Sequence, residues 1–393
     1  MAGDRPDRSF SRFHRDGWCD YRARGIGRKE RDMFRRMLLL GIVAVALIVS
    51  GCSKEKETAV GNLEPAEYVG SDACRTCHSA IHSAYGLTGH NFILTKIEGS
   101  APVYPDSVPP LPGPPAGYTW DDISYVVGGF GWKALFVDDN GYLITGNSVQ
   151  YNLRTDEWVD FMSTELPGTV PYDCAGCHST GYADTGAEHQ GNMAGVVGGW
   201  AEDGVACERC HGAGGEHALN PADVRMTVNG SSAFCGECHS RNGGQAISAE
   251  AGLILNYSQY DELSSAGHGN VRCATCHNPH FSTVYDPANA IEIACADCHS
   301  VTVSHAGPDD CKLCHMPRSV KSAASSGSGL YLRGDIRSHI FAINTDTTQA
   351  QFYIDGGEYY SNGFNGLNFS CLSSCHSSEN LGWAAQEAGG IHQ

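Results

Sequence analysis

The sequence predicts a mostly irregular chain with short α-helices and a small antiparallel β insert, organised around planar groups attached to the chain. Three observations support this prediction. A five-residue pattern, Cys-x-x-Cys-His, recurs along the chain, and six copies lie between Cys174 and His315. Segments so short cannot each bury a separate apolar core. Glycine is also frequent, with 48 among 393 residues against an average of about 7%, and it lets backbone approach a flat ring closely.

Two cysteines three positions apart and followed at once by histidine are the attachment signature of c-type haem. The thiols bond to the porphyrin, and the histidine ligates the iron as its proximal ligand. The regular copies are Cys74-Cys77-His78, Cys174-Cys177-His178, Cys207-Cys210-His211, Cys235-Cys238-His239, Cys273-Cys276-His277, Cys295-Cys298-His299 and Cys311-Cys314-His315. Zinc is the alternative, but zinc coordination gives no reason for a histidine after every second cysteine. Stacked c-type haems are therefore the predicted core.

An eighth candidate site has one residue more between its cysteines, Cys371 and Cys375, and ends in His376. With it, the sites use 16 of the 18 cysteines. A disulfide or free thiols at this place would leave seven haems. We prefer a haem, with His376 as the proximal ligand, because the histidine follows the second cysteine directly. The prediction is thus eight haem c groups.

The ligand on the second face of each haem iron decides the function. A distal histidine closes that face, whereas an open face can bind substrate. Nine histidines outside the motifs follow Cys52. The predicted distal ligands are His90, His189, His217, His268, His280, His305, His339 and His392. His82 is the spare, because it shares a helical face with His78. This supply is sufficient for histidine on both faces of every haem.

The N-terminal region predicts export. Residues 1–32 are rich in arginine, and we predict that they are not translated and that the chain starts at Met33 or Met37. Residues 33–51 form a predicted signal peptide, since their apolar run is shorter than the roughly 20 residues that a membrane span needs.

The apolar run ends in Val49-Ser50-Gly51-Cys52, which resembles the lipobox of bacterial lipoproteins. That resemblance implies lipidation of Cys52, and an ordinary signal peptide is the alternative. Residues 52–63 are polar and are predicted to form a tether. The resemblance and Ser53 imply an anchor in the outer membrane, on its periplasmic or cell-surface side.

The remaining chain divides into five predicted segments. Residues 64–98 carry the first haem, with a helix at 79–85. Residues 99–165 are a Pro-rich connector and the β insert, with strands at 123–127, 132–137 and 142–145 and a turn signal in Asp138-Asp139-Asn140-Gly141. Residues 166–318 form a six-haem cluster. Residues 319–329 are a Ser/Gly-rich linker, and 330–393 carry the eighth haem.

A family resemblance adds to these motifs. Glu67-Tyr68-Val69-Gly70-Ser71 before the first site, with His90 after it, resembles the start of cytochrome c554-like multihaem proteins. With the lipobox and the β insert, the chain is similar to the outer-surface multihaem c-type cytochromes of metal-reducing bacteria. The resemblance implies an electron conduit and implies that His90, His217, His280 and His339 are distal ligands.

The formal charge of −18 disfavours nucleic acid as a partner. We expect other cytochromes or redox proteins as partners, with metal oxides or soluble shuttles as terminal acceptors and the membrane reached through the lipid anchor. The predicted function is non-enzymatic electron transfer in extracytoplasmic respiration. One alternative is an octahaem oxidoreductase of the hydroxylamine oxidoreductase or nitrite reductase kind, with one substrate-binding haem. Another is a homo-oligomeric cytochrome filament.

Overall fold

The computed structural model describes residues 67–184, 189–265, 267–303, 305 and 311–392. The predictions for residues 1–66, including the signal peptide, the lipidation of Cys52 and the tether, lie outside these residues. Within the described ranges, no helix has the length and apolar character that a membrane crossing requires.

The helices are short, and most of them lie at or beside a Cys-x-x-Cys-His motif. They are α1 Ser71–Arg75, α2 Ser79–Tyr85, α3 Ala175–His178, α4 Cys207–His211, α5 Gly215–Leu219, α6 Ser232–Gly236, α7 Gln259–Ser264, α8 Cys273–Cys276, α9 Pro287–Ala290, α10 Cys311–His315 and α11 Leu381–Ala388. Single turns of other types are Trp120–Asp122, Gln190–Asn192, Cys295–Asp297 and Gly329–Tyr331 (3-10) and Asn368–Leu372 (π). The helix predicted at 79–85 is α2.

The β insert is a five-stranded antiparallel sheet in the order β1-β2-β3-β4-β5. Its strands are β1 Leu94–Lys96, β2 Ile123–Gly128, β3 Lys133–Asp138, β4 Gly146–Asn152 and β5 Glu157–Phe161. Alternating β-branched and aromatic residues form these strands because such side chains pack well on a pleated surface. Two of the three predicted strands, at 123–127 and 132–137, correspond to β2 and β3.

The third predicted strand, at 142–145, is wrong. The turn before it is present, since Gly141 N–H donates to Asp138 O over 3.0 Å and Gly141 has φ of 91°. After the turn the chain makes only isolated bridges, from Leu143 to Val137 and from Tyr142 to Pro171. The next strand starts at Gly146, because Tyr142 and Leu143 are held by the segment around Pro171 instead of by a continuous ladder.

A second, six-stranded sheet was not predicted. Its order is β11-β10-β9-β8-β14-β13. The strands after β5 are β6 Ser179–Thr180, β7 Glu202–Asp203, β8 Ile247–Glu250, β9 Leu253–Leu255, β10 Val320–Ser326, β11 Arg333–Ile336, β12 Ile343–Asn344, β13 Phe352–Asp355, β14 Glu358–Ser361 and β15 Asn365–Gly366. The β6–β7 and β12–β15 pairs form two further small sheets.

The Ser/Gly linker predicted at 319–329 is therefore wrong, because β10 lies inside the second sheet between β9 and β11. Its small side chains do not make it flexible. Val320 is 1% exposed, and the Asp335 carboxylate accepts hydrogen bonds from the backbone N–H groups of Ser322, Ala323 and Ala324. Composition alone predicted flexibility, and tertiary hydrogen bonding overrides it.

The apolar core is concentrated in the β insert. Leu94, Val126, Phe136 and Phe161 belong to a buried cluster on this sheet, and two smaller clusters lie under the second sheet and beside α11. Between Ala206 and Ile247, a fully described stretch, no apolar side chain is buried. The region with the densest motifs thus has little apolar core made of side chains alone.

Candidate haem sites

Each regular motif places its two cysteines and its histidine on a single helical turn. The histidine N–H donates to the carbonyl of the first cysteine, four residues earlier, over 2.9 Å in His78 and His239 and 3.0 Å in His277. Residues three and four apart lie on the same face of a turn. The three side chains of a motif therefore project toward one side, as attachment to one planar group requires.

The eighth site reaches the same arrangement by a different turn. Asn368–Leu372 is a π-helical turn, and His376 N–H donates over 3.0 Å to the carbonyl of Cys371, five residues earlier. A π turn adds one residue per turn to the backbone. The extra residue between Cys371 and Cys375 is therefore accommodated in the backbone, and the first cysteine and the histidine keep the relation that they have in the regular motifs.

A continuous cavity of about 3540 Å³ is lined by cysteines from all seven regular motifs. Aromatic side chains from separate segments also line it, among them Phe92, Trp132 and Phe341. Planar aromatic faces pack well against flat conjugated rings. The cavity runs through the region in which little apolar core is made by side chains, so it has the place and the character of a space for stacked planar groups.

Seven motif histidines each face a histidine from outside the motifs, with ring centroids 5.6–6.3 Å apart. The pairs are His78–His217, His90–His239, His211–His280, His268–His299, His277–His339, His305–His376 and His315–His392. A metal–nitrogen bond of about 2 Å on each side of an iron, with half of each ring added, places two axial imidazole centroids about 6 Å apart. The residues present therefore fit a haem iron between the two rings of each pair.

Several of these imidazoles are held in the tautomer that a metal ligand needs. The Nδ1 atom of His217 lies 2.6 Å from Val224 O, and that of His315 lies 2.8 Å from Phe341 O. A carbonyl at Nδ1 keeps the proton there and leaves Nε2 available for a metal. Burial also lowers the pKa of His90 and His339 to about 4, which keeps both rings in the neutral, ligand-competent form.

Three histidines are placed differently. His178 lines the same cavity, and burial lowers the pKa of its imidazole to about 4. His189, a predicted distal ligand, is exposed, and its Nδ1 lies 2.5 Å from Val196 O. Its ring does not face a motif histidine in the described part of the chain. His82, the predicted spare, lies 3.9 Å from Asp72 Oδ1.

Sulfur contacts between motifs show that neighbouring sites adjoin. The sulfur atoms of Cys74 and Cys207, of Cys177 and Cys238 and of Cys235 and Cys273 lie close to one another. Each contact joins cysteines of two different motifs. The first site thus adjoins the third, and the fourth adjoins both the second and the fifth, which sequence order alone does not indicate.

Sequence reasoning missed the carboxylate that joins the first and third sites. Glu208, inside the third motif and 2% exposed, accepts hydrogen bonds from the backbone N–H groups of Val69 over 3.0 Å, Gly70 over 2.8 Å and Gly214 over 2.6 Å. A buried carboxylate is stable when such donors surround it. A charged residue between two motif cysteines carries no sequence signal for this role.

Zinc-type clusters were the alternative considered for the cysteine pairs. In the described ranges, no three His, Cys, Asp or Glu side chains converge in a way that could hold a single metal ion. The arrangement that recurs in these ranges is instead a pair of imidazole rings that face each other.

Comparisons with known proteins identify the fold. No family model matches the chain, and no curated protein matches its sequence. Among solved structures, the outer cell wall cytochrome OcwA aligns with 81% of this chain and 86% of its own, at 19% identity and a TM-score of 0.52. Octahaem sulfite reductase MccA of Wolinella succinogenes aligns with 82% of this chain and 66% of its own, at 16% identity and a TM-score of 0.54. The chain therefore has the fold of multihaem c-type cytochromes, as its motifs predicted.

The prediction that the chain is not an enzyme requires correction. One of the two proteins that share its fold is a sulfite reductase, which is an enzyme. The prediction was based on the number of histidines, but a count does not say which iron face each histidine reaches. The same fold can carry electrons or transform a substrate, because axial ligation and access to the iron decide between them.

Proposed function

We propose that the chain is an octahaem c-type cytochrome that carries electrons through haems with histidine on both faces. The observation that supports this best is the set of seven imidazole pairs at 5.6–6.3 Å. Haem c held between such pairs supplies a one-electron iron couple. The residues of the chain hold the rings in place, exclude water and set the potentials through ligation and burial.

The eighth site is included because two observations at separate places support it. The backbone hydrogen bond from His376 N–H to Cys371 O keeps the relation between these two residues, and the ring of His376 faces that of His305 at 6.1 Å. A plain disulfide or free thiols would require neither arrangement.

The distal ligands also tie separate sites together. His217 follows the third motif in sequence but faces His78 of the first. His280 follows the fifth motif but faces His211 of the third. Each such crossing holds two sites close, and short separations favour transfer between redox groups. The sulfur contacts between motifs support the same continuous path.

The path has candidate entry and exit points. Cys298 of the sixth site and Cys375 of the eighth are exposed and are not among the residues that line the large cavity. A haem attached through an exposed cysteine has an edge near solvent. We propose the sixth and eighth sites as the places where electrons enter from a donor and leave toward an acceptor.

The proposed setting is extracytoplasmic respiration, with the chain anchored through lipidated Cys52. Redox proteins or other cytochromes would be its partners, and metal oxides or soluble shuttles its acceptors. The predicted export signal and the fold shared with an outer cell wall cytochrome support this setting.

The haem number and the anchor are tested together on the purified mature protein. A pyridine haemochrome assay counts haem c, and intact mass reports both the attached haems and the acyl chains. We expect eight haems and a mass that requires acylation. A protein without a Soret band, or with zinc in its place, would end the proposal.

Axial ligation is tested with carbon monoxide, which binds reduced haem iron only at an open face. We expect His217→Ala to bind one more carbon monoxide per molecule than the native protein does, because the first iron loses its distal imidazole. His82→Ala removes a nearby histidine that faces no motif histidine in the described ranges and should bind no more than the native protein. Equal carbon monoxide binding by the two variants would contradict the assigned pair.

A second candidate function is an octahaem oxidoreductase with one substrate-binding haem. The fold that the chain shares with a sulfite reductase favours it. Stoichiometric carbon monoxide binding to the unmodified, reduced protein at neutral pH would support this candidate over a path closed by histidine at every site.

A further inference from the structure

Four arginines gather where the β insert meets the second sheet. Arg154 lies in the turn between β4 and β5, Arg318 follows the seventh motif, Arg333 begins β11 and Arg337 precedes His339 by two residues. Burial, and then repulsion from Arg337, Arg333 and Arg154, lowers the pKa of the Arg318 guanidinium. The charges of Arg154, Arg333 and Arg337 therefore act on Arg318 although the four residues come from three separate stretches of chain.

The contacts of these arginines hold them in place without neutralising them. Arg318 Nη1 donates to the carbonyl of Asp335. Arg337 Nη1 donates to the carbonyls of Lys312 and Met316, over 2.9 Å each. The Arg154 guanidinium lies 5.5 Å from the centroid of Trp132. Carbonyls and an aromatic face orient a guanidinium but carry no compensating charge.

Carboxylates of the chain do not pair directly with these guanidinium groups. Asp335 is the acidic group whose charge acts on Arg318, but its carboxylate accepts hydrogen bonds from the backbone N–H groups of Ser322, Ala323 and Ala324 over 2.6, 2.8 and 3.0 Å. Among the described residues, none of the four arginines forms an ion pair with a carboxylate. This is unexpected in a chain with 44 acidic against 26 basic residues.

The junction that carries the arginines is itself built by specific contacts. Lys133 Nζ donates to Ser322 O over 2.7 Å, and Asn152 Nδ2 donates to Ala323 O over 2.9 Å. Both bonds join the β insert to β10. They join the insert that carries Arg154 to the strand that Arg318 precedes by two residues. Arg154, Arg318 and Arg337 all line the large cavity.

We propose that Arg154, Arg318, Arg333 and Arg337 form an anion-binding site for a carboxylate or oxyanion group at the wall of this cavity. Guanidinium groups bind such groups through paired, charge-assisted hydrogen bonds, and partly buried positive charges need a counter-charge. The anion has two possible sources. One is a propionate of haem in the cavity, which rests on the proposed function, and the other is a diffusible oxyanion, which does not.

The test uses the haem-loaded protein with sulfate as the probe. Arg318→Gln removes a partly buried charge. Arg154→Gln removes an exposed charge of the same cluster and is used if the first variant does not fold. Arg225→Gln is the matched control, since Arg225 is an exposed arginine that lines the same cavity outside the cluster. Haem is counted in every sample, so that failure of the proposed function is distinguished from failure of this site.

For a diffusible oxyanion, calorimetry should show saturable sulfate binding that weakens about tenfold in the two cluster variants and stays unchanged in Arg225→Gln. For a haem propionate, sulfate should not bind saturably, and the midpoint potential of one haem should become more negative in the cluster variants alone, because removal of a positive charge disfavours reduction. The proposal is overturned if sulfate binding and potentials in the cluster variants match those of the control.

Discussion

The ring of Phe341 lies 4.5 Å, centroid to centroid, from the imidazole of His268 and is tilted by 40° to it. The same residue accepts a hydrogen bond from His315 Nδ1 at its carbonyl, over 2.8 Å, and its ring is 6.3 Å from His339. One residue thus contacts imidazoles of the fifth, sixth and seventh sites. It connects the six-motif region to the C-terminal segment at the place where three predicted axial ligands meet.

Phe341→Ala should reorient the His268 imidazole, because the aromatic face that packs against it is lost. We expect the electron paramagnetic resonance signal of one haem to shift while the haem count stays the same. The free energy of unfolding should fall by about 1–3 kcal/mol, as for other losses of partly buried side chains. Phe341→Leu retains bulk and backbone and should shift the signal less. An unchanged spectrum in Phe341→Ala would contradict this role.

Cys371→Ser should remove one thioether bond at the eighth site. His376 N–H donates to the carbonyl of Cys371 over 3.0 Å, as the histidine of a regular motif donates to the carbonyl of its first cysteine. We expect incomplete haem attachment at this site, seen as a population one haem lighter by intact mass. Ser373→Ala, within the extra-residue loop, should attach haem fully. If the native protein itself carries only seven haems by intact mass and Cys371→Ser leaves that number unchanged, the eighth site does not carry haem.

Glu208→Ala should destabilise the packing of the segment before the first motif against the third motif. It leaves the backbone N–H groups of Val69, Gly70 and Gly214 without their acceptor. Hydrogen bonds to a charged group contribute about 1.5–3 kcal/mol each, so a loss of at least about 2 kcal/mol is expected in denaturant unfolding. Glu216→Ala removes an exposed carboxylate nearby and should change stability far less. Equal losses in the two variants would argue against the buried carboxylate as the cause.

Asp203→Asn should alter stability in a pH-dependent way. Burial raises the pKa of Asp203, although its Oδ1 accepts a hydrogen bond from Trp200 Nε1 over 2.6 Å. Since the folded pKa lies above the unfolded one, the protonated acid favours the fold at low pH, and this contribution is lost as pH rises through the folded pKa.

Asparagine keeps the Oδ1 acceptor and cannot ionise. The variant should therefore match the native protein near about pH 3 and become more stable than it toward about pH 7. Denaturant unfolding at both values measures this, with the exposed Asp106→Asn as the control. A difference of the same size at both pH values would show that the ionisation of Asp203 is not responsible.

The strands show how far sequence reasoning reached into the fold. Runs of β-branched and aromatic residues predicted β2 and β3 because both strands pair within a local meander. The segment that contains β10, residues 319–329, was predicted as a flexible linker because its sequence is Ser/Gly-rich. Its partners, β9 and β11, supply the hydrogen bonds that make it a strand, and β9 is distant in sequence. No local pattern carries that information.

The sequence by itself determined the attachment motifs, since two cysteines and a histidine act together within one helical turn, where sequence spacing and spatial distance are equivalent. Tertiary structure decided which histidine faces which. His217 meets His78, and His392 meets His315, only through packing of remote segments, and the exposed position of His189 is likewise a matter of that packing. Which side chains meet depends on the conformation of all the backbone between them, and the number of histidines in the sequence carries no information about that conformation.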